Sequence, residues 1–405
     1  MIRLNVWLTL SQGQTVRAGE LVVADPDSQG RLEGQFRYAP EYLALPAVFP
    51  LDPIHLPLST KSYNADRPHS GVHGVFEDSL PDDWGRRLLV RRYKLERKNQ
   101  RVPGLLELLG GQGMGALSYG KDDAVPVKKE AVDGRYLVDL QRLAAKFEED
   151  ATSIDDEMEL LFQAGSSPGG ARPKALIRDR ETPYLAKFSS VRDQFDVVSL
   201  EAATMDLARQ AGVSAAPTKL VSCGVKKALL VERFDVNTLT AGRNHLLSMQ
   251  TLLKADGYYY AGYRDLADII RRVSSNPGED LLKLFKQLVF NVMIGNTDDH
   301  LKNFCMMNDG DGWQLSPAYD LVPNIGLNRE HVLQIGHSNV VDNRTTLLHE
   351  AKHFGIKRQK AGEQIIAAMY EAVSGWEKVF FGFGVPDRDM KIIGHDIDQR
   401  LAMLA

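Results

Sequence analysis

Between Leu284 and Met293 apolar residues recur at i, i+1, i+4, i+5, i+8 and i+9 (Leu284, Phe285, Leu288, Val289, Val292, Met293), a pattern that predicts a helix buried over a broad face. Gly295 ends it, and the chain that leaves it is polar: Asn296–Thr297–Asp298–Asp299–His300–Leu301–Lys302–Asn303. Phe304 to Met307 and Trp313 to Leu315 then read as a hairpin across Asn308–Asp309–Gly310–Asp311–Gly312, which returns the chain through Ser316–Pro317–Ala318–Tyr319 to Asp320. Any fold that buries this helix has to bring Asp298, Asn303 and Asp320 out together. Two carboxylates and an amide on neighbouring turns can accept a proton and hold a hard divalent cation.

An Asp-x-x-x-x-Asn sequence by itself is an ordinary helix exit, with Asp and Asn making turns. The second half changes the reading, because Asp320 follows Asn303 by 17 residues, close to where a protein kinase keeps its metal-binding Asp. Asp298 is then the candidate base, and Asn303 and Asp320 the candidate Mg²⁺ ligands beside ATP. The hairpin's Asp309-x-Asp311-Gly312 is no calcium loop, since the remaining ligand positions are missing.

Phosphate needs a cation, and Lys187 stands between apolar neighbours in the strand Tyr184–Leu185–Ala186–Lys187–Phe188. Glu201 on the next helix is the candidate ion-pair partner that fixes it. Upstream, Gly165–Ser166–Ser167–Pro168–Gly169–Gly170–Ala171–Arg172–Pro173–Lys174 offers backbone N–H groups to phosphate oxygens, but it is not a Walker A loop, because Ala171 and Arg172 replace the required Lys and Ser/Thr. A second glycine run, Gly110–Gly111–Gln112–Gly113–Met114–Gly115, reads as a tight turn. Val231–Glu232–Arg233–Phe234–Asp235 follows an apolar strand where a kinase hinge would meet adenine through backbone groups.

At 405 residues the chain predicts two or three packed units. The expected class is α+β, a two-lobed protein-kinase-like fold with an additional N-terminal α+β subdomain: residues 1–130, then a lobe of strands over 131–235, then a helical lobe over 236–405. Residues 2–10, 18–24 and 36–38 read as strands of one sheet, and 46–57 as irregular. Asp78 or Ser79 would cap a helix carrying Arg86, Arg87, Arg91, Arg92 and Lys94. Further helices are expected over 155–162, 198–211, 247–255, 264–273, 279–294, 359–376 and 389–404. No apolar run reaches the roughly 18 residues of a membrane span, which excludes a helical membrane protein, and no secretory signal pattern opens the chain. Cys223 and Cys305 are the only cysteines, which supports neither a disulfide framework nor a cysteine metal site and fits a cytoplasmic location. A net charge of −4 argues against a chain that binds nucleic acid by charge alone, so contact with DNA would be shared with a partner.

As a set, Ser167–Pro168–Gly169–Gly170–Ala171–Arg172–Pro173–Lys174–Ala175, Ala186–Lys187–Phe188, Val231–Glu232–Arg233–Phe234–Asp235, the run from Asn296 to Phe304 and Ala318–Tyr319–Asp320 resemble the HipA toxin family of bacterial serine/threonine kinases. Val6–Trp7–Leu8 and the run from Phe76 to Asp82 extend the resemblance to the N-terminal unit. It implies Asp298 as catalytic base, Asn303 and Asp320 on Mg²⁺, and Lys187 on the ATP phosphates. His300, Lys302 and Tyr319 would line the nucleotide site, Glu232 and Phe234 would flank adenine, and Ser167, or its neighbour Ser166, would be autophosphorylated to switch the kinase off. Adding nearly two negative charges where phosphates bind is inhibitory on physical grounds. The resemblance further implies a helix-turn-helix antitoxin resembling HipB, operator DNA bound through that antitoxin, and a protein substrate in translation such as an aminoacyl-tRNA synthetase. Two other readings stand beside it: a small-molecule phosphotransferase similar to the aminoglycoside phosphotransferases, and a catalytically weak corepressor whose basic helix supports assembly.

Overall fold

The computed structural model describes all residues except 129–130, 151–156, 166–169, 258 and 327–328. Ser166, Ser167 and Gly169 of the glycine loop therefore lie outside the described residues. The chain divides into two compact units, Met1–Val191 with Arg233–Leu247 and Met307–Asp311, and Arg192–Glu232 with Ser248–Met306 and Gly312–Ala405.

The first unit opens with strands β1 (Ile2–Thr9), β2 (Thr15–Val23), β3 (Gly34–Tyr38), β4 (Ser62–Asn64) and β5 (Leu117–Gly120), paired in the order β4-β3-β2-β1-β5. Alternation turns Phe36 and Tyr38 of β3 inward, where Phe36 meets Phe76 at 5.0 Å and Tyr38 stacks on Tyr42 at 5.8 Å. The Tyr38 hydroxyl donates to Leu56 O at 2.6 Å and accepts from Leu51 N–H at 2.9 Å, which ties the irregular proline-rich stretch to the sheet. A second strand group follows: β6 (Val132–Asp133) lies parallel to β7 (Lys174–Asp179), and β7 pairs antiparallel with β8 (Thr182–Phe188).

Helices Asp83–Arg92, Val102–Leu109, Leu137–Glu149 and Met158–Gly165 also belong to this unit, with Trp84 fully buried edge-on to Phe147 at 5.5 Å. The helix that carries Arg86, Arg87, Arg91 and Arg92 is Asp83–Arg92, with Asp82 rather than Asp78 or Ser79 at its N-cap, and a separate short helix, Gly74–Glu77, precedes it. Ser79 is unavailable as a cap because its hydroxyl bonds Tyr119 OH at 2.7 Å. Lys94 falls outside the helix at a φ of 48°.

In the second unit the helix Val197–Gln210 accompanies the antiparallel pair β9 (Thr218–Cys223) and β10 (Lys226–Glu232). Most of the rest is helical, namely Tyr263–Val273, Pro277–Ile294, Arg344–Ala351, Gln359–Ser374, Trp376–Gly382 and Asp387–Leu404, with the short strand Trp313–Leu315 leading to Ser316. The helix expected over 247–255 is only Met249–Leu252, because Ser248 is extended and caps it by accepting from Thr251 N–H at 3.1 Å. Cys223 and Cys305 are both free and buried. Among the described residues no helix is long and apolar enough to cross a membrane.

Candidate active site

The Pro277–Ile294 helix starts on proline and is buried along most of its length, with Leu284, Phe285, Leu288, Val289 and Met293 fully enclosed. Gly295 stops it at a φ of 73°, and a Cβ there would stand 2.7 Å from Asp396 Oδ2, so the handover requires glycine. Asn296, Thr297 and Asp299 are buried, while Asp298 between them is exposed. That exposure suits a base that must reach a substrate hydroxyl.

Asn303 closes a single 3₁₀ turn, Leu301–Asn303, and its Nδ2 donates to Asp298 O at 2.9 Å. Holding the amide by its nitrogen leaves Oδ1 as the atom that can meet a cation. The Tyr319 hydroxyl donates to Lys302 O at 2.7 Å and lies 3.0 Å from Cys305 Sγ, so the residue before Asp320 is fastened to the residue before Asn303. Ala318, on the other side of Tyr319, is fixed by its N–H to Ser214 O at 2.7 Å and its O to Ala216 N–H at 2.9 Å. Asp320 itself adopts a φ of 58°. A non-glycine residue is held in that region only where its surroundings over-determine it, as they do at functional sites.

Asp280 supports this turn from beneath. Its buried Oδ2 accepts from Leu315 N–H at 2.8 Å and Ser274 OH at 2.7 Å, which anchors the strand leading to Ser316. Asp299 turns away from Asp298 and accepts from the Tyr263 hydroxyl and His331 Nδ1 on one oxygen and from Val332 N–H on the other. Burial and the Asp299 charge push the Tyr263 hydroxyl well above its ordinary range, so it remains a donor.

In the first unit Lys174 and Lys187 occupy directly opposed positions of β7 and β8 and so share one face of the pair. Two facing lysines disfavour each other unless negative charge joins them. Gly170, at a φ of 99°, lies under the Lys174 ammonium, for a Cβ there would be 2.1 Å from Nζ. Gly170 is held by the start of the Asp83–Arg92 helix: its N–H donates to Asp82 Oδ2 at 2.9 Å and its O accepts from Trp84 N–H at 3.1 Å. Trp84 Nε1 also donates to Lys174 O at 3.1 Å. Ala171 and Arg172 are exposed beside it.

The remaining candidates are placed as follows. Glu201 is buried in the Val197–Gln210 helix of the second unit, and Glu232 ends β10 with its N–H donated to Pro217 O at 2.9 Å. Arg233 is buried with its guanidinium engaged on Asp235, at 2.9 Å from Nε and 2.5 Å from Nη2, so its side chain serves the core. Burial alone would raise the Asp235 carboxyl, but Arg233, Arg243 and the Gly115 N–H hold it down at about 2. Phe234 is half-buried, with its carbonyl accepting from Asn244 Nδ2 at 2.8 Å, and His300 and Lys302 stand half-buried and exposed, respectively, on the loop between Asp298 and Asn303. Asp82, Asp280 and Asp299 escape a reading of the sequence because each acts on backbone far along the chain.

Strands bearing opposed lysines, and a helical unit whose Asp, Asn and Asp stand on stapled loops, define a chain of protein-kinase-like fold. A family model for the HipA-like C-terminal domain matches residues 166–376, more than half of the chain, and one for the HipA N-terminal domain matches residues 13–120. The chain belongs to the HipA family. Among curated proteins it is similar to Y4mE of Sinorhizobium fredii, provisionally named a kinase, at 27% identity over 73% of this chain and 76% of that one. It is also similar to the serine/threonine-protein kinase toxin HipA of Shewanella oneidensis, at 32% identity over 29% of this chain and 32% of that one. Among solved structures, HipA in a complex of Shewanella oneidensis HipA, HipB and operator DNA superposes with a TM-score of 0.70 at 17% identity, covering 98% of this chain and 96% of that chain.

Proposed function

We propose that the chain is an ATP- and Mg²⁺-dependent serine/threonine protein kinase, the toxin of a toxin–antitoxin module. One observation carries the reading: the Tyr319–Lys302 bond, which fastens the Asp320 turn to the Asn303 turn beneath an exposed Asp298. The donor set fits a hard cation, with one amide oxygen and one carboxylate leaving the remaining positions to phosphate and water.

ATP with Mg²⁺ would supply the transferable phosphoryl group and the neutralisation of its oxygens. Asp298 would take the proton of the acceptor hydroxyl as that oxygen bonds to the γ-phosphorus, while the bond from that phosphorus to the β–γ bridging oxygen breaks and ADP leaves. Asn303 Oδ1 and the Asp320 carboxylate would hold the ion. Lys187 and Lys174 would bind phosphate oxygens, with Glu201 orienting Lys187 and the Gly169–Gly170–Ala171–Arg172 backbone covering them. The backbone of Glu232 to Phe234 would meet the adenine, and His300, Lys302 and Tyr319 would border the nucleotide. Autophosphorylation at Ser167, or Ser166, would oppose nucleotide binding through added charge. A helix-turn-helix antitoxin that brings operator DNA, and a substrate in translation such as an aminoacyl-tRNA synthetase, complete the reading, supported by family membership and by the makeup of the similar complex.

The test is labelling of the purified chain with γ-labelled ATP and Mg²⁺, followed by phosphoproteomics after brief induction. Asp298→Ala is expected to reduce incorporation by roughly 10²–10⁴-fold, the usual worth of a general base. Undiminished labelling would remove Asp298 from the role, and a phosphorylated small molecule without any phosphoprotein would overturn the protein-kinase assignment.

A further inference from the structure

Asp298 is the single exposed residue in the run 296–299, and its neighbours are held by one buried chain of hydrogen bonds. Asn296 Nδ2 donates to Asn291 Oδ1 at 3.1 Å, Asn291 Nδ2 to the Tyr263 hydroxyl at 2.9 Å, and that hydroxyl to Asp299 Oδ2 at 2.8 Å. Every bond points the same way, toward Asp299, so each polarises the next. The chain begins one side of Asp298 and ends on the other. Its two ends clamp the loop that carries the base.

Asp299 also reaches beyond the loop. His331 Nδ1 lies 2.9 Å from Oδ2, and Oδ1 accepts from the N–H groups of Val332 at 2.8 Å and Leu333 at 3.3 Å. Val332 N–H lies 3.1 Å from Thr297 O as well, and Asn324 Nδ2 donates to Thr297 Oγ1 at 2.6 Å. Both oxygens therefore face donors only, which suits a carboxylate and no other side chain of this size. His331 is buried, and its Nε2 has no partner among the described residues, so the one hydrogen bond of its ring is the one to Asp299. A residue that only filled space here would not need four donors from two segments far apart in the chain.

We propose that Asp299 is a positioning residue for phosphoryl transfer, whose carboxylate locks the Asp298 loop onto the Val332–Leu333 backbone so that base and segment adopt one arrangement. The inference rests on the reading of Asp298 as base. Asn in place of Asp299 keeps the shape but puts an NH₂ group against donors on one side or the other. The base then loses its fixed orientation, while the Asp320 turn keeps its own anchor, the bond from the Tyr319 hydroxyl to the Lys302 carbonyl.

The experiment uses the full chain with Mg²⁺ and γ-labelled ATP and compares Asp299→Asn, Tyr263→Phe, their combination and Asp298→Ala. Misplacing a reacting group by about 1 Å costs on the order of 100-fold. Asp299→Asn is expected to lower kcat by about that factor and leave the KM for ATP within about threefold. Tyr263→Phe should lower kcat by itself yet add little on top of Asp299→Asn, because the acceptor for its hydroxyl is already gone. Amide exchange at Val332 and Leu333 should accelerate in Asp299→Asn while the Pro277–Ile294 helix stays protected. Wild-type kcat in Asp299→Asn beside an inactive Asp298→Ala would overturn the positioning role and leave the base intact. Full additivity of the two substitutions, or unchanged exchange at Val332 and Leu333, would overturn it equally. Activity retained in Asp298→Ala would instead remove the base reading, and the positioning role with it.

Discussion

The left-handed Asp320 permits a test that separates backbone geometry from chemistry. With a φ of 58°, an L side chain there carries a penalty of about 1–2 kcal/mol that glycine does not. At an ordinary loop position the order is the reverse, since alanine narrows the unfolded ensemble and is the more stable of the two by about 0.4–1 kcal/mol. Comparing Asp320→Gly with Asp320→Ala cancels whatever the carboxylate contributes, because both variants lack it. The remainder favours glycine by about 1 kcal/mol, or about 2–4 °C in Tm for a unit of this size. Denaturant melts of the two proteins, checked for equal m-values, measure the difference directly. Both should be inactive in phosphoryl transfer, and Asp320→Asn should be as inactive while staying within about 0.5 kcal/mol of wild type, since Asn tolerates this backbone. An alanine variant as stable as the glycine variant would refute the argument, for it would mean that the turn does not hold residue 320 in this conformation.

Two further outcomes concern the first unit. His245 is buried with Nε2 2.9 Å from Leu51 O, and burial pushes its imidazole down from 6.5 to about 4. The folded pKa lies below the unfolded one, so this stability is complete above about pH 6.5 and is lost as pH falls toward 4. The loss is about 3 kcal/mol, and in urea melts His245→Gln should flatten that acid limb; an unchanged limb would place the sensitivity elsewhere. Asp235→Asn leaves the buried Arg233 guanidinium without its counter-charge and should cost about 3–5 kcal/mol by denaturant titration, a loss under 1 kcal/mol contradicting the account.

What was legible in the sequence is what local pattern dictates. The apolar spacing of residues 284–293, the stop at Gly295 and the two strands either side of residues 179–182 all reappear, because periodicity and turn chemistry act within a few residues. The helices Val102–Leu109, Leu137–Glu149 and Trp376–Gly382 were not legible. The first carries Pro103 and Gly104 in its opening turn, the second adjoins a polar stretch that reads as a linker, and the third begins directly after Gly375 at the end of another helix. In the site, the types and spacing of Asp298, Asn303 and Asp320 could be read, but their supports could not. Asp299 finds Tyr263 and His331 on segments 36 and 32 residues away, and Gly170 finds Asp82 at a distance of 88. A carboxylate anchoring remote backbone and one performing chemistry look identical in a sequence. Only burial tells Asp299 from Asp298, the proposed base.

That distinction bears on how an irregular loop can be both open and still. Residues 296–303 contain no regular structure except one 3₁₀ turn, so no ladder of backbone bonds holds them. Side chains replace it: Asn303 on the Asp298 carbonyl, Tyr319 on the Lys302 carbonyl, Asn324 on Thr297 and Asp299 on the Val332 N–H. Each is worth about 1 kcal/mol net, and none depends on a nucleotide. Groups held this way need little reorganisation when charge develops on the reacting oxygen, which is the condition under which fixed dipoles lower a barrier most. The strain at Asp320 belongs to the same design, since a turn fastened at Ala318 and Tyr319 can hold a carboxylate in a conformation it would not choose alone.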